Sequence, residues 1–421
     1  MAGRRNFIKK LAAISVGSMS LKAYAKIAPK SVSHFETLTG EEYWNALRTQ
    51  FTLKPEKVYL NNGTIGPSPL VVQQALINSI EQIDSSCAYG GDDIAREGIS
   101  KLINCQKEEI ALTHNTTEGL NIICWGLPLK KGDEVILTQH EHVGNIMPWL
   151  NRAEIDGIKL KFIKTGRTTT EVLNQLNDSI SRKTRVISVP HVSCTIGQKY
   201  PIKAIQKLCK EKGIWFVPDG AHGAGSMHLD MQDLDVDCYV SCGHKWLLGP
   251  KGTGFVFIKK GFLDTIKPTY AGAYTDSGFD IFSTHPILKG YNKTAHRFDY
   301  GTKNASLFIG LNEATNFHLN IGTKKVEERC LSLSKYLFTK LETLESQVQI
   351  INSNEQASRS SMIGFVPKSI DYKTLANKLQ DNGFRVRQVP EANLNSIRVS
   401  THIYNNFEQL DVFCDAIKEI G

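Results

Sequence analysis

The chain has 421 residues, of which 41% are hydrophobic and 22% are charged, with 50 Lys and Arg against 42 Asp and Glu and a formal net charge of +8. These fractions are those of an ordinary globular protein, and they exclude a disordered, collagen-like or disulfide-scaffold chain. The length exceeds what a single core usually serves, so we expect two subdomains or one large domain with an appendage.

The first 25 residues resemble an export signal. They contain five basic residues and no acid, and the apolar run over 11–21 is too short to span a bilayer. Adjacent Arg4 and Arg5 and the small-x-small sequence at 23–25 predict a twin-arginine signal peptide over 1–25. We therefore expect the twin-arginine export machinery as a partner, a periplasmic location and no stable membrane anchor. Without those five, 45 of the 50 basic residues remain against 42 acidic ones, so no nucleic-acid partner is expected.

From residue 58 to about residue 260, apolar runs alternate with amphipathic stretches. The predicted strands are 110–113, 134–138, 159–165, 185–190, 214–218, 238–241 and 254–258. The predicted helices between them include 70–86, 118–125, 145–156, 170–181 and 202–211. Continuous apolar strands are typical of a sheet covered on both faces. The alternation therefore predicts an α/β fold with a mostly parallel, seven-stranded sheet and right-handed crossovers.

The rest of the chain has a different pattern. Residues 270–304 are rich in Tyr, Gly, Ser and Thr and show few periodic signals, and long helical patterns run over 305–344. The tail alternates predicted strands at 349–351, 362–366, 384–388 and 397–400 with helices at 372–382 and 407–420. Strands mixed with helices outside the main sheet predict a smaller C-terminal α+β domain.

Two stretches each place one chemically useful side chain at the end of a predicted strand: a lysine in the first and an acid in the second. In VSCGHKWLLGPKGTG, residues 240–254, Lys245 follows a predicted strand and precedes a glycine-rich turn, where a neutral amine can add to a ligand aldehyde. In FVPDGAH, residues 216–222, Asp219 ends another strand, at the edge where open α/β sheets bind ligands. Alone, each residue has an ordinary structural explanation. Their separation by one βα unit favours a shared site in which the carboxylate pairs with a protonated ring nitrogen.

Two further strand ends carry polar residues. NTTEG at 115–119 places hydroxyls and backbone N–H groups at a helix start, which is typical of phosphate sites and also of plain capping. QHEHVGN at 139–145 has His140 and His142 at a spacing that suggests a metal, but no third ligand accompanies them. No metal is therefore predicted, and an imidazole stacked on a planar cofactor is favoured. The nine cysteines form no C-x-x-C pair, so no zinc or thioredoxin-type site is expected.

Together with YLNNG at 59–63, these motifs resemble the class V aminotransferase family. These are fold-type I enzymes that use pyridoxal 5′-phosphate (PLP), and they include cysteine desulfurases and isopenicillin N epimerase. The resemblance covers the chain from about residue 59 to the end. It implies an N-terminal segment at 26–60, a large PLP-binding domain at 61–305, and an interdomain helix with a small C-terminal domain at 306–421.

The resemblance also implies a role for individual residues. Lys245 would form the Schiff base with PLP and act as the catalytic base, Asp219 would pair with the ring nitrogen, and His142 would stack on the ring. The further cofactor contacts that it implies are His191, Thr195 and His222 near the ring, Thr116, Thr117 and His244 at the phosphate, and Thr302 at the phosphate of a neighbouring subunit. A homodimer with shared active sites is therefore expected.

Two residues are expected to face an amino-acid-like substrate. Arg398 in NSIRVSTHIYN matches the family's carboxylate-binding strand, and a guanidinium binds a carboxylate through two parallel hydrogen bonds. Asn62 lies in the segment around 61–65 that would face the reacting atoms.

The chain departs from the family's pattern in one place that concerns the reaction. Cysteine desulfurases of the most similar motif set have a mobile nucleophilic cysteine where this chain has GFRVRQVPE, residues 383–391. Cys194 and Cys242 also replace Asn or Ser contacts, and a thiol is a weaker donor. The motifs favour the isopenicillin N epimerase-like branch, with epimerisation or C–S cleavage of an amino acid or small peptide. Transamination with a keto acid, cysteine desulfurase-like chemistry and a non-catalytic binding protein are the alternatives.

Overall fold

The computed structural model describes residues 28–88, 90–164 and 166–420. The predicted signal peptide and Thr165, the end of one predicted strand, lie outside the described residues. Within this described part of the chain, no helix has both the length and the apolar character needed to cross a membrane.

Fifteen strands are present in the described residues. In chain order they are β1 Val58–Tyr59, β2 Ile110–Thr113, β3 Glu134–Thr138, β4 Lys159–Ile163, β5 Thr184–Pro190, β6 Trp215–Asp219, β7 Cys238–Cys242, β8 Gly254–Ile258, β9 Phe279–Asp280, β10 Ile287–Leu288, β11 Val348–Ile350, β12 Met362–Pro367, β13 Phe384–Arg385, β14 Arg387–Val389 and β15 Ser396–Ser400.

The seven predicted strands of the main sheet are confirmed, in the order β2-β8-β7-β6-β5-β3-β4. The pairs from β7 through β4 are parallel. Strand β8 is antiparallel to both of its neighbours, so the sheet is mostly parallel, as expected. Alternate side chains enter two cores: Ile187 and Phe216 pack on one face, and Val186 and Val217 on the other. Each such buried side chain contributes about 1.5–3 kcal/mol relative to exposure.

Twelve α-helices surround the sheets in the described residues. They are α1 Gly40–Arg48, α2 Leu70–Ser86, α3 Ile94–Ile103, α4 Thr116–Gly126, α5 Val143–Asp156, α6 Thr169–Ser179, α7 Ile202–Lys212, α8 Met231–Leu234, α9 Ala305–Ile321, α10 Thr323–Glu342, α11 Tyr372–Asp381 and α12 Phe407–Ile420. The helical pattern over 305–344 is divided at Gly322, whose positive φ of 93° ends α9 before α10 begins.

A second, antiparallel sheet follows the main one along the chain. Its order is β11-β12-β15-β14, and α10, α11 and α12 supply side chains to its core. Strand β1, near the other end of the chain, pairs with β13, and Val58 and Leu60 pack in the same core. The segment that follows β1 contacts both sheets: Asn61 bridges to Ser400 of β15, and the Gly66 amide donates to the His244 carbonyl just after β7.

Three predicted elements differ from the structure near the residues that matter for function. Helices α4 and α5 begin two residues earlier than predicted, because Asn115 and His142 accept hydrogen bonds from the backbone of the first turn. The predicted strand 384–388 is divided at Val386, because β13 pairs with β1 whereas β14 pairs with β15.

Candidate active site

The carboxyl ends of three neighbouring strands carry polar residues. Asp219 is the last residue of β6, His191 directly follows β5, and Lys245 lies three residues after β7. These strands are parallel neighbours, so their carboxyl ends lie at the same edge of the sheet, where open α/β sheets bind ligands.

The Asp219 carboxyl group is buried, and its Oδ1 accepts a hydrogen bond from the Ala221 amide at 2.8 Å. Burial raises the pKa of this carboxyl, while the Ala221 amide and the positive charge of Lys245 lower it. A cationic ring nitrogen placed beside Asp219 would offset the loss of solvation.

Lys245 faces a histidine whose tautomer is determined by a neighbouring tryptophan. The indole N–H of Trp246 donates to Nδ1 of His222 at 2.9 Å, so a neutral His222 carries its proton on Nε2. That Nε2 atom lies 3.5 Å from Nζ of Lys245. Burial, then the charges of Lys245 and Arg398, lower the pKa of His222 well below its usual value. His222 is therefore a neutral group beside the lysine.

His142 lies within the electrostatic influence of the site's cations. Its Nδ1 accepts the Gly144 amide at 3.0 Å, and burial, Lys245 and Arg387 lower its pKa to about 4. A Cβ atom at Gly144 would lie 2.5 Å from Oγ1 of Thr117, so the start of α5 packs closely against the start of α4. The structure thus brings His142, Thr117 and Lys245 together.

Two polar atoms near the start of α4 have no hydrogen-bond partner in the described residues. They are Oγ1 of Thr116 and Nδ1 of His244, and both atoms are buried. The Asn115 side chain accepts from the Glu118 N–H of the first turn, which leaves the N–H groups of Thr116 and Thr117 available. Free donors at a helix start form a site for an anionic oxygen.

Arg398 is a buried cation that has no carboxylate partner in the described residues. Its Nη1 donates to the Cys194 carbonyl at 2.6 Å, and its Nη2 donates to Asn61 and Thr64 at 3.2 and 3.1 Å. Its Nε atom is buried and unpaired. Burial, and then the like charge of Arg387, lower the pKa of this guanidinium. An arriving carboxylate would neutralise it.

Asn62 lies on the segment that follows β1, beside the lysine. Its Oδ1 accepts from the Tyr404 hydroxyl at 3.0 Å, and its Nδ2 is buried without a partner in the described residues. A side chain at Gly66 would collide with the Lys245 carbonyl, so only glycine permits this close approach.

Two residues expected at the ring, His191 and Thr195, also have protein partners. Nδ1 of His191 is hydrogen bonded to the Tyr239 hydroxyl at 2.8 Å, and burial lowers the pKa of this imidazole to about 3. Oγ1 of Thr195 contacts Nδ1 of His140 and Oγ of Ser193, each at 2.9 Å. His140 and His142 therefore have different hydrogen-bond partners: Thr195 for His140 and the Gly144 amide for His142.

No group of three or more His, Cys, Asp and Glu side chains in residues 28–88, 90–164 and 166–420 is arranged to hold a metal.

Thr302 is exposed, on the segment that follows Asp299. Asp299 is buried, accepts from the Leu112 amide of β2 at 2.9 Å and pairs with Arg96 and Lys303. This ion cluster attaches the segment to the edge of the main sheet and presents Thr302 on the surface of the protomer.

The sequence pattern of the family Aminotransferase class-V matches residues 88–413. The chain belongs to the class V aminotransferase family. It is 24% identical over 398 residues to a probable cysteine desulfurase of Methanothermobacter thermautotrophicus, covering 89% of this chain and 97% of that protein.

Two solved structures of the protein C-DES are similar to this one. The first, a variant with glycine covalently linked to its PLP cofactor, has a TM-score of 0.81 at 25% identity and covers 89% of this chain and 99% of that chain. The second is the complex of the cystine C–S lyase C-DES with its reaction product cysteine persulfide. Its TM-score is 0.78 at 25% identity, with 87% and 98% covered.

The class V fold and these relatives show a PLP-dependent enzyme. The residues present fit the cofactor. The unpaired atoms of Thr116 and His244 suit its phosphate, the buried Asp219 suits its ring nitrogen, and Lys245 supplies the amine that its aldehyde requires. When bound, PLP accepts the electron pair released at Cα of an amino acid.

Several residues of this class V site were not predicted from the sequence. The Cys194 carbonyl, Asn61 and Thr64 hold Arg398, and Tyr404 orients Asn62. Arg387 lies beside Arg398 and shares the Cys194 carbonyl. The sequence contained a general signal for Asn61 and Thr64, which lie in the segment 61–65, and for Arg387, since Arg385 and Arg387 alternate along a predicted strand.

Proposed function

We propose that this enzyme cleaves the Cβ–S bond of a disulfide amino acid such as L-cystine by β-elimination. The observation that carries the proposal is the ion pair of Arg387 and Glu391, which occupies the segment where the family's desulfurases have a nucleophilic cysteine. Without an acceptor thiol there, the sulfur must leave on a small molecule. The likeness to a C–S lyase whose product is cysteine persulfide supports this reaction.

The thiols nearest to the site do not favour transfer of sulfur to the enzyme. Cys194 and Cys242 are buried, and burial raises the pKa of each thiol. The thiolate is the nucleophilic form of cysteine, so neither side chain is activated for attack.

The chain's own residues supply binding and proton transfer. Arg398 binds the α-carboxylate through its buried guanidinium, and the free Nδ2 donor of Asn62 contacts the substrate. Lys245 takes the proton from Cα. His142 remains neutral near pH 7 and covers the reacting atoms without adding a charge to them.

The reaction balances without an oxidant or reductant. The Cα proton goes to Lys245, and the Cβ–S bond breaks with its electron pair on sulfur, so cysteine persulfide leaves. The three-carbon product takes up one water and yields pyruvate and ammonia. One cystine and one water thus give one pyruvate, one ammonia and one cysteine persulfide.

The purified PLP-loaded enzyme tests this proposal with L-cystine in deuterium oxide. We expect equal amounts of pyruvate and cysteine persulfide, with the persulfide measured by cyanolysis. Cα deuteration with D-isomer and no pyruvate would identify an epimerase instead, and a reaction that requires a keto acid would identify a transaminase. A protein that binds L-cystine without changing it would be the non-catalytic binding protein.

Cysteine desulfuration is the second candidate, because the Methanothermobacter relative carries that name. It requires an enzyme-bound persulfide when L-cysteine is added. Intact-mass measurement of the holoenzyme after L-cysteine and before reduction checks this, and we expect no gain of one sulfur atom. A gain located at one of the nine cysteines would favour the desulfurase.

We further propose a homodimer in which Thr302 reaches the phosphate of the partner's cofactor. The exposed apolar side chains of the β9–β10 hairpin support it, since Phe279, Phe282 and Ile287 are exposed on this protomer. Light scattering should give the mass of two chains.

Export to the periplasm rests on residues 1–25, and Arg4→Lys with Arg5→Lys should retain the protein in the cytoplasm.

A further inference from the structure

Two arginines converge on one backbone oxygen beside the active site. Arg387 of β14 and Arg398 of β15 are directly opposite in the antiparallel register, so their side chains share one face of the sheet. Both donate to the Cys194 carbonyl, at 3.0 and 2.6 Å. Like charges in directly opposite positions destabilise a sheet, so the pair requires another explanation.

The two cations differ in their anionic partners. Arg398 has no carboxylate partner in the described residues, whereas Nη2 of Arg387 pairs with Oε1 of Glu391. The second oxygen of that carboxylate, Oε2, is buried and has no hydrogen-bond partner in the described part of the chain. Arg387 retains further N–H donors, so an unused acceptor and unused donors lie side by side.

A polar cavity of about 320 Å³ lies beside Arg387, the cation of this ion pair. Its polar lining is Asn61, Thr64, Gln380, Arg385, Arg387 and Gln388. Asn61 and Thr64 also hold Arg398, so the cavity begins beside the bound α-carboxylate. A volume of this size has room for a second amino-acid head group.

We propose that Arg387 and Glu391 form a second subsite, which binds the zwitterionic head of the half of the substrate that leaves. Arg387 donates to the distal carboxylate, and Oε2 of Glu391 accepts from the distal ammonium. The inference rests on the proposed C–S cleavage and adds the substrate class. The preferred substrates are disulfide amino acids that carry a second carboxylate and a second amine.

Four disulfides of L-cysteine test the subsite, because each carries the same Cβ–S bond and differs only in the distal group. They are L-cystine with a zwitterionic distal head, S-(2-carboxyethylthio)-L-cysteine with a carboxylate, S-(2-aminoethylthio)-L-cysteine with an ammonium, and S-(methylthio)-L-cysteine with neither. Pyruvate release gives kcat/KM for each. We expect the wild-type enzyme to prefer L-cystine over the methyl disulfide at least tenfold, mainly through KM.

Two variants test separately which residue binds the distal ammonium and which binds the distal carboxylate. Glu391→Gln should reduce the preference for L-cystine over the carboxyethyl disulfide about tenfold. Arg387→Gln should reduce the preference for L-cystine over the aminoethyl disulfide by a similar factor. Arg185→Gln is the matched control, because Arg185 pairs with Asp133 at the opposite end of β5. Its preference ratios should equal those of the wild type.

The outcomes separate the subsite from the proposed function. Pyruvate from all four substrates with equal kcat/KM, or ratios unchanged in both variants, would overturn the subsite and leave C–S cleavage standing. No pyruvate from any of them would overturn both. Glu391→Gln keeps the shape of the side chain, and thermal unfolding of the holoenzyme confirms that the variant is folded.

Discussion

The hydroxyl of Tyr404 donates to Oδ1 of Asn62 at 3.0 Å, and Nδ2 of the same amide is buried with no partner in the described residues. Because the tyrosine occupies the acceptor, it determines which way the amide points. Tyr404 therefore positions a buried donor that, under the proposed function, contacts the substrate.

Tyr404→Phe removes this hydrogen bond and lets the amide rotate. We expect KM for L-cystine to rise about fivefold to tenfold with a smaller change in kcat, because a hydrogen bond contributes about 1 kcal/mol. Steady-state pyruvate release gives both constants. Tyr336→Phe is the matched control, since that hydroxyl donates to Asp411. Equal KM values for Tyr404→Phe and the wild type would contradict the positioning role.

Arg398→Met should abolish turnover without destabilising the fold. The three acceptors of Arg398 remain satisfied in its absence, because Arg387 still donates to the Cys194 carbonyl and Thr64 still donates to Asn61 at 2.8 Å. Removing an unpaired buried charge eliminates its desolvation cost. We expect a Tm equal to or above that of the wild type and a kcat/KM at least 100-fold lower.

Arg96→Met is the contrasting variant for that measurement. Arg96 is also buried, but it pairs with the buried Asp299, so its loss leaves a carboxylate with fewer partners. We expect destabilisation of about 3–5 kcal/mol, measured by urea unfolding. A comparable loss in Arg398→Met would show that its guanidinium stabilises the fold.

Thr116→Val should weaken cofactor binding. The Thr116 hydroxyl is buried beside the Cys242 thiol and has no other polar partner in the described residues, so we expect it to contact the phosphate. We expect the Kd for PLP to increase about tenfold in a fluorescence titration of the apoprotein. Thr343→Val, at an exposed hydroxyl that donates to the Lys340 carbonyl, should leave this Kd unchanged.

Stability should decrease in mild acid because buried imidazoles stay neutral. Burial lowers the pKa of His191 and His402 to about 3, whereas the pKa of a histidine in the unfolded chain is about 6.5. The stabilisation is therefore complete above pH ~6.5 and is lost as the pH falls towards 3, since the unfolded chain binds more protons. His191→Asn should reduce the slope of the unfolding free energy against pH by up to about 1.4 kcal/mol per pH unit. Urea unfolding between about pH 4.5 and 7 measures it, with exposed His285→Asn as the control.

The main sheet could be predicted strand by strand because both of its faces are buried. A strand covered on both sides consists of consecutive apolar residues, and that pattern is visible without knowing what covers it. The bounds of β2, β3 and β8 agree with the prediction. The antiparallel direction of β8 was not specified, because an apolar run has the same composition in either direction.

The sequence alone determined the fold class, the family motifs and the two groups at the strand ends, Asp219 and Lys245. These depend on local pattern and on the order of elements along the chain. Only the tertiary structure decided how the site is held: Tyr404 orients Asn62, and Arg387 and Arg398 share one carbonyl. The partners in these contacts come from separate segments of the chain. Their distances depend on how the two sheets and the N-terminal segment pack, and no local pattern in the sequence encodes that packing.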